Sequence, residues 1–537
     1  MKRPPTIAES FWRHAARRPD GRSFIFLDGA GNEVDAPTRG ELAQRVAIRV
    51  EEIRNRCEPG DRALLCYPPG MEFVVTFIAC LCAGVTAVPA LPPRRNRFSL
   101  RLKTIADDCG CRLILTASEV AFRDGLRDLA EGTAADLLFT DALPPRAVTP
   151  PSFRPDSESP ALIQYTSGST GEPKGVVIRN RHLTANSAMI RRSFGHDEST
   201  VMCSWLPVYH DMGLIGHVVQ SAHLGLTSVL VAPMSFLKRP LLWLEAITRY
   251  RVTTSGGPNF AFEYCLRKIR PEERSHLDLS SWEVAYNGSE PVRRSTCERF
   301  REFFGPCGLS GAALRPCYGL AETTLFVSLK SDQTKPSHLC LDGERYRHGS
   351  VSLVSEGESD SLSIVSCGNA AEGVEIRVVD PETCVTMPEG RIGEIWISSA
   401  SNAEEYWGKP EESRDTFHAR LSDTGEGPFL RTGDLGFLHR GELHISGRLR
   451  DLIIVRGQNH HPQDIEATAE RAHPRIRPHC VGAFSTETDQ GEGLALVLEV
   501  NGGGQEPGEI FSAVCDEVGS EHLVEPETIC LVGPGAV

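Results

Sequence analysis

The stretch Tyr165-Thr166-Ser167-Gly168-Ser169-Thr170-Gly171-Glu172-Pro173-Lys174-Gly175 constrains this chain most. The run Ala161-Leu162-Ile163 just before it reads as a strand, so the loop leaves a strand end. Glycines at 168, 171 and 175 let backbone N–H groups approach an anion with no Cβ in the way. Thr166, Ser167, Ser169 and Thr170 add hydroxyl donors, and Lys174 adds a point charge suited to phosphate. Successive N–H groups in such a loop form a nest that favours anions. No Gly-Lys-Ser/Thr closes it, so it is not a P-loop. The alternative is a solvated Ser/Gly linker, which fits poorly with Pro-Lys-Gly and a preceding core strand. The stretch reads as a cradle for phosphate, and hence for a nucleotide.

A chain of 537 residues exceeds one ordinary core, so two or more domains are expected. The net charge of −14 argues against nucleic acid as the main partner. Among the 17 cysteines, spacings such as Cys80-x-Cys82 and Cys109-x-Cys111 match no zinc pattern. They read as reduced thiols of a cytoplasmic protein. Met1-Lys2-Arg3-Pro4-Pro5 lacks the apolar core of a signal peptide. Phe73 to Leu91 is apolar and about as long as a membrane span. Gly84, Pro89, Thr76 and Thr86 divide it instead into a buried helix, a glycine turn and a short strand, so no span is expected.

The first 155 residues alternate helical and strand-like runs. Ile7 to Arg18 and Leu42 to Arg54 have helical spacing, whereas Ser23–Leu27 and Ala63–Tyr67 read as strands. This alternation predicts an α/β layer fold. Pro92-Pro93-Arg94-Arg95-Asn96-Arg97 is a rigid basic loop, either a steering element for an anion or solvated surface. Ser204-Trp205-Leu206-Pro207-Val208-Tyr209-His210-Asp211-Met212-Gly213 ends in a polar cluster before an apolar run from Leu214, as at a pocket mouth. Thr253 to Phe260 reads as a glycine-bearing loop at a strand end, where open α/β sheets bind ligands. Val284 to Glu290 repeats strand, glycine and polar loop.

In Tyr318-Gly319-Leu320-Ala321-Glu322, a tyrosine can stack on a base and Glu322 can hold Mg²⁺ against phosphate. From Phe326 to Ile364 periodicity weakens, as in an inserted module with a mobile loop, and from Cys367 the chain turns β-rich. Thr432-Gly433-Asp434 places a carboxylate on a glycine turn, where it could accept two ribose hydroxyls. The last segment alternates helix and strand like a small separate domain. His460-His461 has no third ligand at a zinc spacing.

Thr166 to Gly175, Tyr318 to Glu322, Thr432-Gly433-Asp434 and Gly447-Arg448 stand in the order found in the adenylate-forming superfamily, which the chain resembles. Pro92-Pro93-Arg94-Arg95-Asn96, Gly257-Pro258-Asn259-Phe260, Asn287-Gly288-Ser289-Glu290 and Gly457-Gln458-Asn459-His460-His461-Pro462 make it similar to one branch, the fatty acyl-AMP ligases. The resemblance covers essentially the whole chain. It implies an N-terminal core over 1–446, with an insertion near 326–364 and a β subdomain near 367–446, and a mobile α+β C-terminal domain over 447–537.

The implied activity is activation of a fatty acid by ATP and Mg²⁺ to acyl-adenylate and pyrophosphate, then transfer to the phosphopantetheine arm of an acyl carrier protein. By match of motif, Thr166, Ser167, Gly168, Ser169, Thr170, Gly171 and Lys174 hold phosphates. Asn287, Gly288, Ser289, Tyr318 and Gly319 hold adenine, Glu322 the metal, and Asp434 with Arg448 the ribose. His210, Met212, Gly213, Ile215, Gly257, Pro258 and Asn259 border the acyl group, and Arg450 is the hinge. The resemblance also implies a final Pro-x-x-x-x-Gly-Lys segment. The sequence stops at Gly533-Pro534-Gly535-Ala536-Val537, and no lysine follows Lys409. The C-terminal domain is therefore expected to look truncated and turnover to be impaired. The competing expectations are a fatty acyl-CoA synthetase, and a form that binds acyl-adenylate without efficient turnover.

Overall fold

The computed structural model describes residues 4–92, 100–118, 123–151, 154–167, 173–330, 338–358, 360–455, 458–488, 491–501, 507–522 and 524–536. The α/β expectation holds. A fourteen-stranded sheet and a six-stranded sheet carry the body, and a three-stranded sheet (Ile476–Thr488, Gly491–Val500, Pro526–Val532) carries the C-terminal region. No helix among the described residues is long and apolar enough to cross a membrane.

Local signals account for many elements. Thr6 and Glu9 form a capping box at the helix Ile7–Arg17, and Thr38 and Glu41 do so at Arg39–Arg54. The long apolar run resolves into the helix Met71–Ala83, left-handed Gly84 and the strand Thr86–Pro89. That helix is apolar nearly all round because it is enclosed between the six-stranded sheet and the helices at 7–17 and 39–54.

The large sheet has two halves. Phe24–Leu27, Thr227–Val231, Val201–Ser204, Thr254–Gly257, Val284–Asn287 and Leu314–Gly319 are parallel neighbours in that order. From Phe326–Leu329 onward pairing is antiparallel, through Ser361–Ala370, Glu442–Arg448, Leu430–His439, Gly393–Ser399 and Val374–Val379. The strands of 367–446 thus continue the sheet that the parallel strands begin. Within 326–364, Phe326–Leu329 is a strand of the same sheet and His338–Asp342 pairs with Ser361–Val365.

Two local expectations change. Tyr165–Ser167 and Pro173–Gly175, read as loop, belong to the antiparallel strands Pro160–Ser167 and Pro173–Arg179. Thr254–Gly257, expected within a loop, is a buried strand. Its glycines mark tight packing: a Cβ on Gly257 would lie 2.7 Å from Trp205 Cζ2, and one on Gly256 only 2.1 Å from the Tyr286 carbonyl oxygen.

The C-terminal region has its own core, built from Ile465, Leu494, Leu496, Leu498 and Val514. It touches the body where the ring of Tyr346, on the helix Gly343–Arg347, meets His461 at 5.5 Å.

Candidate active site

The carboxyl ends of the parallel strands open into a polar cavity of about 840 Å³. Tyr165 and Thr166 enter from one sheet, and His210, Asp211, Ser289, Gly319 and Glu322 from the ends of the other. Thr432, Gly433, Asp434, Arg448 and Arg450 close it from the antiparallel half.

At one end lies Glu322. Tyr406 Oη donates to Glu322 Oε1 at 2.9 Å, and the Ala403 amide donates to the Glu322 carbonyl at 2.8 Å. Burial raises the Glu322 pKa, with Asp211 and Asp434 adding to the shift and the Tyr406 hydrogen bond opposing it. Among the described residues no cation lies within 4 Å of this carboxylate. Lys174 lies nearby, with its ammonium 5.4 Å from the Tyr406 ring centroid and in an ion pair with Glu412. The Trp407 amide donates to the Gly175 carbonyl at 2.7 Å, which ties the Tyr406 segment to the strand Pro173–Arg179.

At the other end, Tyr318 Oη donates to Asp434 Oδ2 at 2.6 Å and Arg448 Nε stands 3.3 Å from Asp434 Oδ1. Burial raises the Asp434 pKa, while Tyr318 and Arg448 counter the shift. Asp434, expected on a glycine turn, lies within the strand Leu430–His439, where Gly433 has a left-handed φ of 71°, and this stretch is held from below by Glu394, only 2 % exposed. Its carboxylate accepts from the Gly433 amide at 3.1 Å, from Trp396 Nε1 at 2.9 Å and from Arg431 Nε at 3.0 Å. Arg450 lines the cavity and pairs with Asp451 at 3.4 Å.

A second, apolar cavity of about 70 Å³ lies behind Ser289 and Gly319. Ile190, Phe194, Met202, Met212, Leu325 and Phe326 wall it, and His196 and Thr254 stand in its lining. The two cavities share Asp211, Ser289 and Gly319. Ser289 holds a left-handed φ of 72° at this junction, a strained backbone of the kind found at ligand sites. His210 Nδ1 faces Asp211 Oδ1 at 2.6 Å, and that carboxylate raises the His210 pKa. A Cβ on Gly213 would lie 2.3 Å from the Pro207 carbonyl oxygen, so only glycine allows this turn at the mouth.

The structure thus brings Thr166, Lys174, His210, Ser289, Tyr318, Gly319, Glu322, Asp434, Arg448 and Arg450 to the two cavities, with Met212 in the apolar one. Asn287 lies behind the wall, where its Nδ2 donates to Asn259 Oδ1 at 3.2 Å. Gly288 packs against Cys317, Gly257 against Trp205, and Ile215 in the core; like Gly213 and Pro258, they are not wall residues of either cavity. Gly168, Ser169, Thr170 and Gly171 lie outside the described residues, as do the side chain of Ser167 and most of the basic loop 92–97. Tyr406, Glu412 and Glu394 escaped the sequence reading. Nothing local marks these roles: Tyr406 reaches Glu322 across 84 positions, Glu394 reaches the Gly433 amide across 39, and Glu412 pairs with the distant Lys174.

A family model of AMP-binding enzymes matches residues 11–407. The chain is 38% identical over 529 residues to a medium-chain-fatty-acid–[acyl-carrier-protein] ligase of Moorena producens, covering 96% of this chain and 89% of that one. It is 34% identical over 582 residues to a ligase of the same description from Teredinibacter turnerae, covering 99% and 90%. A solved fatty acyl-adenylate ligase from L. pneumophila, in complex with acyl adenylate and pyrophosphate, superposes with a TM-score of 0.79 at 34% identity, covering 99% of this chain and 93% of that one. Similarity of this depth, running nearly end to end in both partners, leaves one assignment: the chain belongs to the AMP-binding, adenylate-forming enzymes, on the branch of the fatty acyl-AMP ligases.

Proposed function

We propose that the protein activates a fatty acid with ATP to an acyl-adenylate, releasing pyrophosphate, and passes the acyl group to the phosphopantetheine thiol of an acyl carrier protein. The observation that carries this reading is the junction of the two cavities. An apolar pocket walled by Phe194, Met202, Met212 and Leu325 meets a polar one at Asp211, Ser289 and Gly319. An acyl chain in the first would bring its carboxylate to a nucleotide in the second. The relatives from Moorena and Teredinibacter, described as fatty-acid–carrier-protein ligases, support the carrier as acceptor.

In the first step a carboxylate oxygen attacks the α-phosphorus and the bond to pyrophosphate breaks. In the second the thiol sulfur attacks the acyl carbonyl carbon and AMP leaves. Neither step needs a covalent enzyme nucleophile, so the residues act by position and charge. Lys174 and Thr166 serve the phosphates, Tyr318 and Gly319 the base, and Asp434 with Arg448 the ribose. His210 and Asp211 border the reacting carboxylate, and Arg450 serves as hinge between a body over 1–446 and a C-terminal unit over 447–537. The segment 326–364, through Tyr346 on His461, braces that unit.

Glu322 fits Mg²⁺. It is a carboxylate in the cavity wall with no cation within 4 Å among the described residues, and Mg²⁺ is commonly held by one or two carboxylates plus phosphate oxygens. Bound there, the ion would neutralise charge on the phosphates. Pyrophosphate release with saturated fatty acids of increasing length, with acyl-AMP identified by mass, tests the reading. Clear preference for amino acids or aryl acids would overturn it, and efficient formation of acyl-CoA from free CoA would move the assignment to a CoA synthetase.

A further inference from the structure

The proposed transfer requires a carrier domain to dock within reach of the cavity, and one surface has the chemistry for it. The helix Pro233–Lys238 follows the parallel strand Thr227–Val231, and the helix Asn259–Lys268 follows Thr254–Gly257. Both helices therefore start at the carboxyl edge of the sheet, where the cavities open. Phe236 faces inward and stacks on Trp205 at 4.0 Å, and Trp205 begins the segment that ends in His210 and Asp211. Phe260 meets the same indole edge-on at 5.9 Å.

The outward side of the first helix is apolar. Met234 is 58% exposed and Leu237 37%, two of only six large hydrophobic side chains so exposed among the described residues. Tyr264 joins the two helices, its hydroxyl donating to the Leu237 carbonyl at 2.6 Å. Arg267 and Lys268 stand over the Tyr264 ring at 5.3 and 5.8 Å.

The charge around this patch is uncompensated. Among the described residues no carboxylate lies within 4 Å of Lys238, Arg267 or Lys268, and all three are exposed. Glu245 and Glu263, on the helices beside the patch, are engaged elsewhere, by Arg239 and Arg299. In a chain of net charge −14, three exposed cations without a carboxylate partner around an exposed Met–Leu–Tyr patch favour an acidic partner with an apolar contact residue.

We propose that Met234, Leu237 and Tyr264, rimmed by Lys238, Arg267 and Lys268, form the docking surface for an acidic acyl carrier domain. The inference rests on the carrier reading of the preceding section. None of these residues lines either cavity, so adenylation and docking are separable.

The test uses the full chain and a purified holo carrier domain of net negative charge, with acyl-AMP formation and carrier loading measured separately. R267E/K268E should leave pyrophosphate release within about twofold and raise the KM for the carrier at least about tenfold, because opposed rim charges become like charges. M234S/L237S should also raise that KM while keeping the salt dependence of loading, which the charge reversal should weaken. Should the double reversal not fold, Lys268→Glu alone should show the same pattern at smaller size. Unchanged carrier KM in folded variants overturns the proposal. So does binding to phosphatidylserine vesicles that the charge reversal abolishes while carrier loading is untouched, which would make the patch a membrane contact. If the wild type forms acyl-AMP yet loads no carrier, the carrier reading itself fails and this surface falls with it.

Discussion

The two ends of the polar cavity are built alike and charged differently. Each presents a carboxylate that accepts from a tyrosine hydroxyl, Glu322 from Tyr406 at 2.9 Å and Asp434 from Tyr318 at 2.6 Å. Asp434 also has a cation, Arg448, at 3.3 Å, whereas among the described residues Glu322 has none within 4 Å. A buried carboxylate with a cation is partly compensated, and its remaining lone pairs suit ligand hydroxyls. One without a cation carries an unmet charge, which in an enzyme that handles phosphates invites a metal ion. The same contrast runs through the neighbours. Lys174, whose ammonium lies 5.4 Å from the Tyr406 ring centroid, is paired with Glu412.

This contrast ranks the consequences of breaking each end. Glu322→Gln should reduce adenylation most, by at least about a hundredfold, because a metal-positioned charge supplies several kcal/mol of transition-state stabilisation. Chelation of Mg²⁺ should cost the wild type as much and the variant little more. A variant that loses stability in step with activity would make Glu322 a structural residue.

Asp434→Asn should act chiefly on nucleotide affinity. Hydrogen bonds to charged groups contribute about 1.5–3 kcal/mol, so the KM for ATP should rise roughly tenfold or more, with kcat less affected. A fall in kcat at unchanged KM would erase the distinction between the two ends.

The tyrosines sharpen the comparison at smaller amplitude. Tyr406→Phe keeps the ring beneath Lys174 and removes only the hydroxyl on Glu322, so the Mg²⁺ concentration for half-maximal rate should rise several-fold. Tyr318→Phe should instead raise the KM for ATP. Metal and nucleotide titrations of both variants would show whether these effects are exchanged.

The smallest effect is on stability. Burial raises the Glu322 pKa in the folded protein above its unfolded value. The folded state therefore favours the protonated form, and ionised Glu322 costs stability once pH rises through the raised value. Without Mg²⁺, Glu322→Gln should melt above the wild type at neutral pH, with the gap closing as pH falls toward the ordinary carboxylate range. A melting series against pH, with equal Tm throughout, would show that the charge is already compensated.

What the sequence determined by itself is local. The strand that leads to Ser167, the capping boxes at Thr6 and Thr38 and the split of residues 73–91 into helix, turn and strand all follow from side-chain periodicity and from glycine and hydroxyl placement along the chain. Those properties act on neighbouring peptide units, so they can be read along the chain. The tertiary structure alone decided which distant groups complete each site. Tyr406 reaches Glu322 across 84 positions and Tyr318 reaches Asp434 across 116. It also decided that Gly257 is packed strand, because its neighbour Trp205 comes from another element, and that Phe194, Met202 and Leu325 wall one pocket. A cavity wall needs only shape and polarity at a point in space, and chain neighbours place no constraint on which residue provides them; a site assembled from separate strand ends therefore becomes visible only once the sheet has formed.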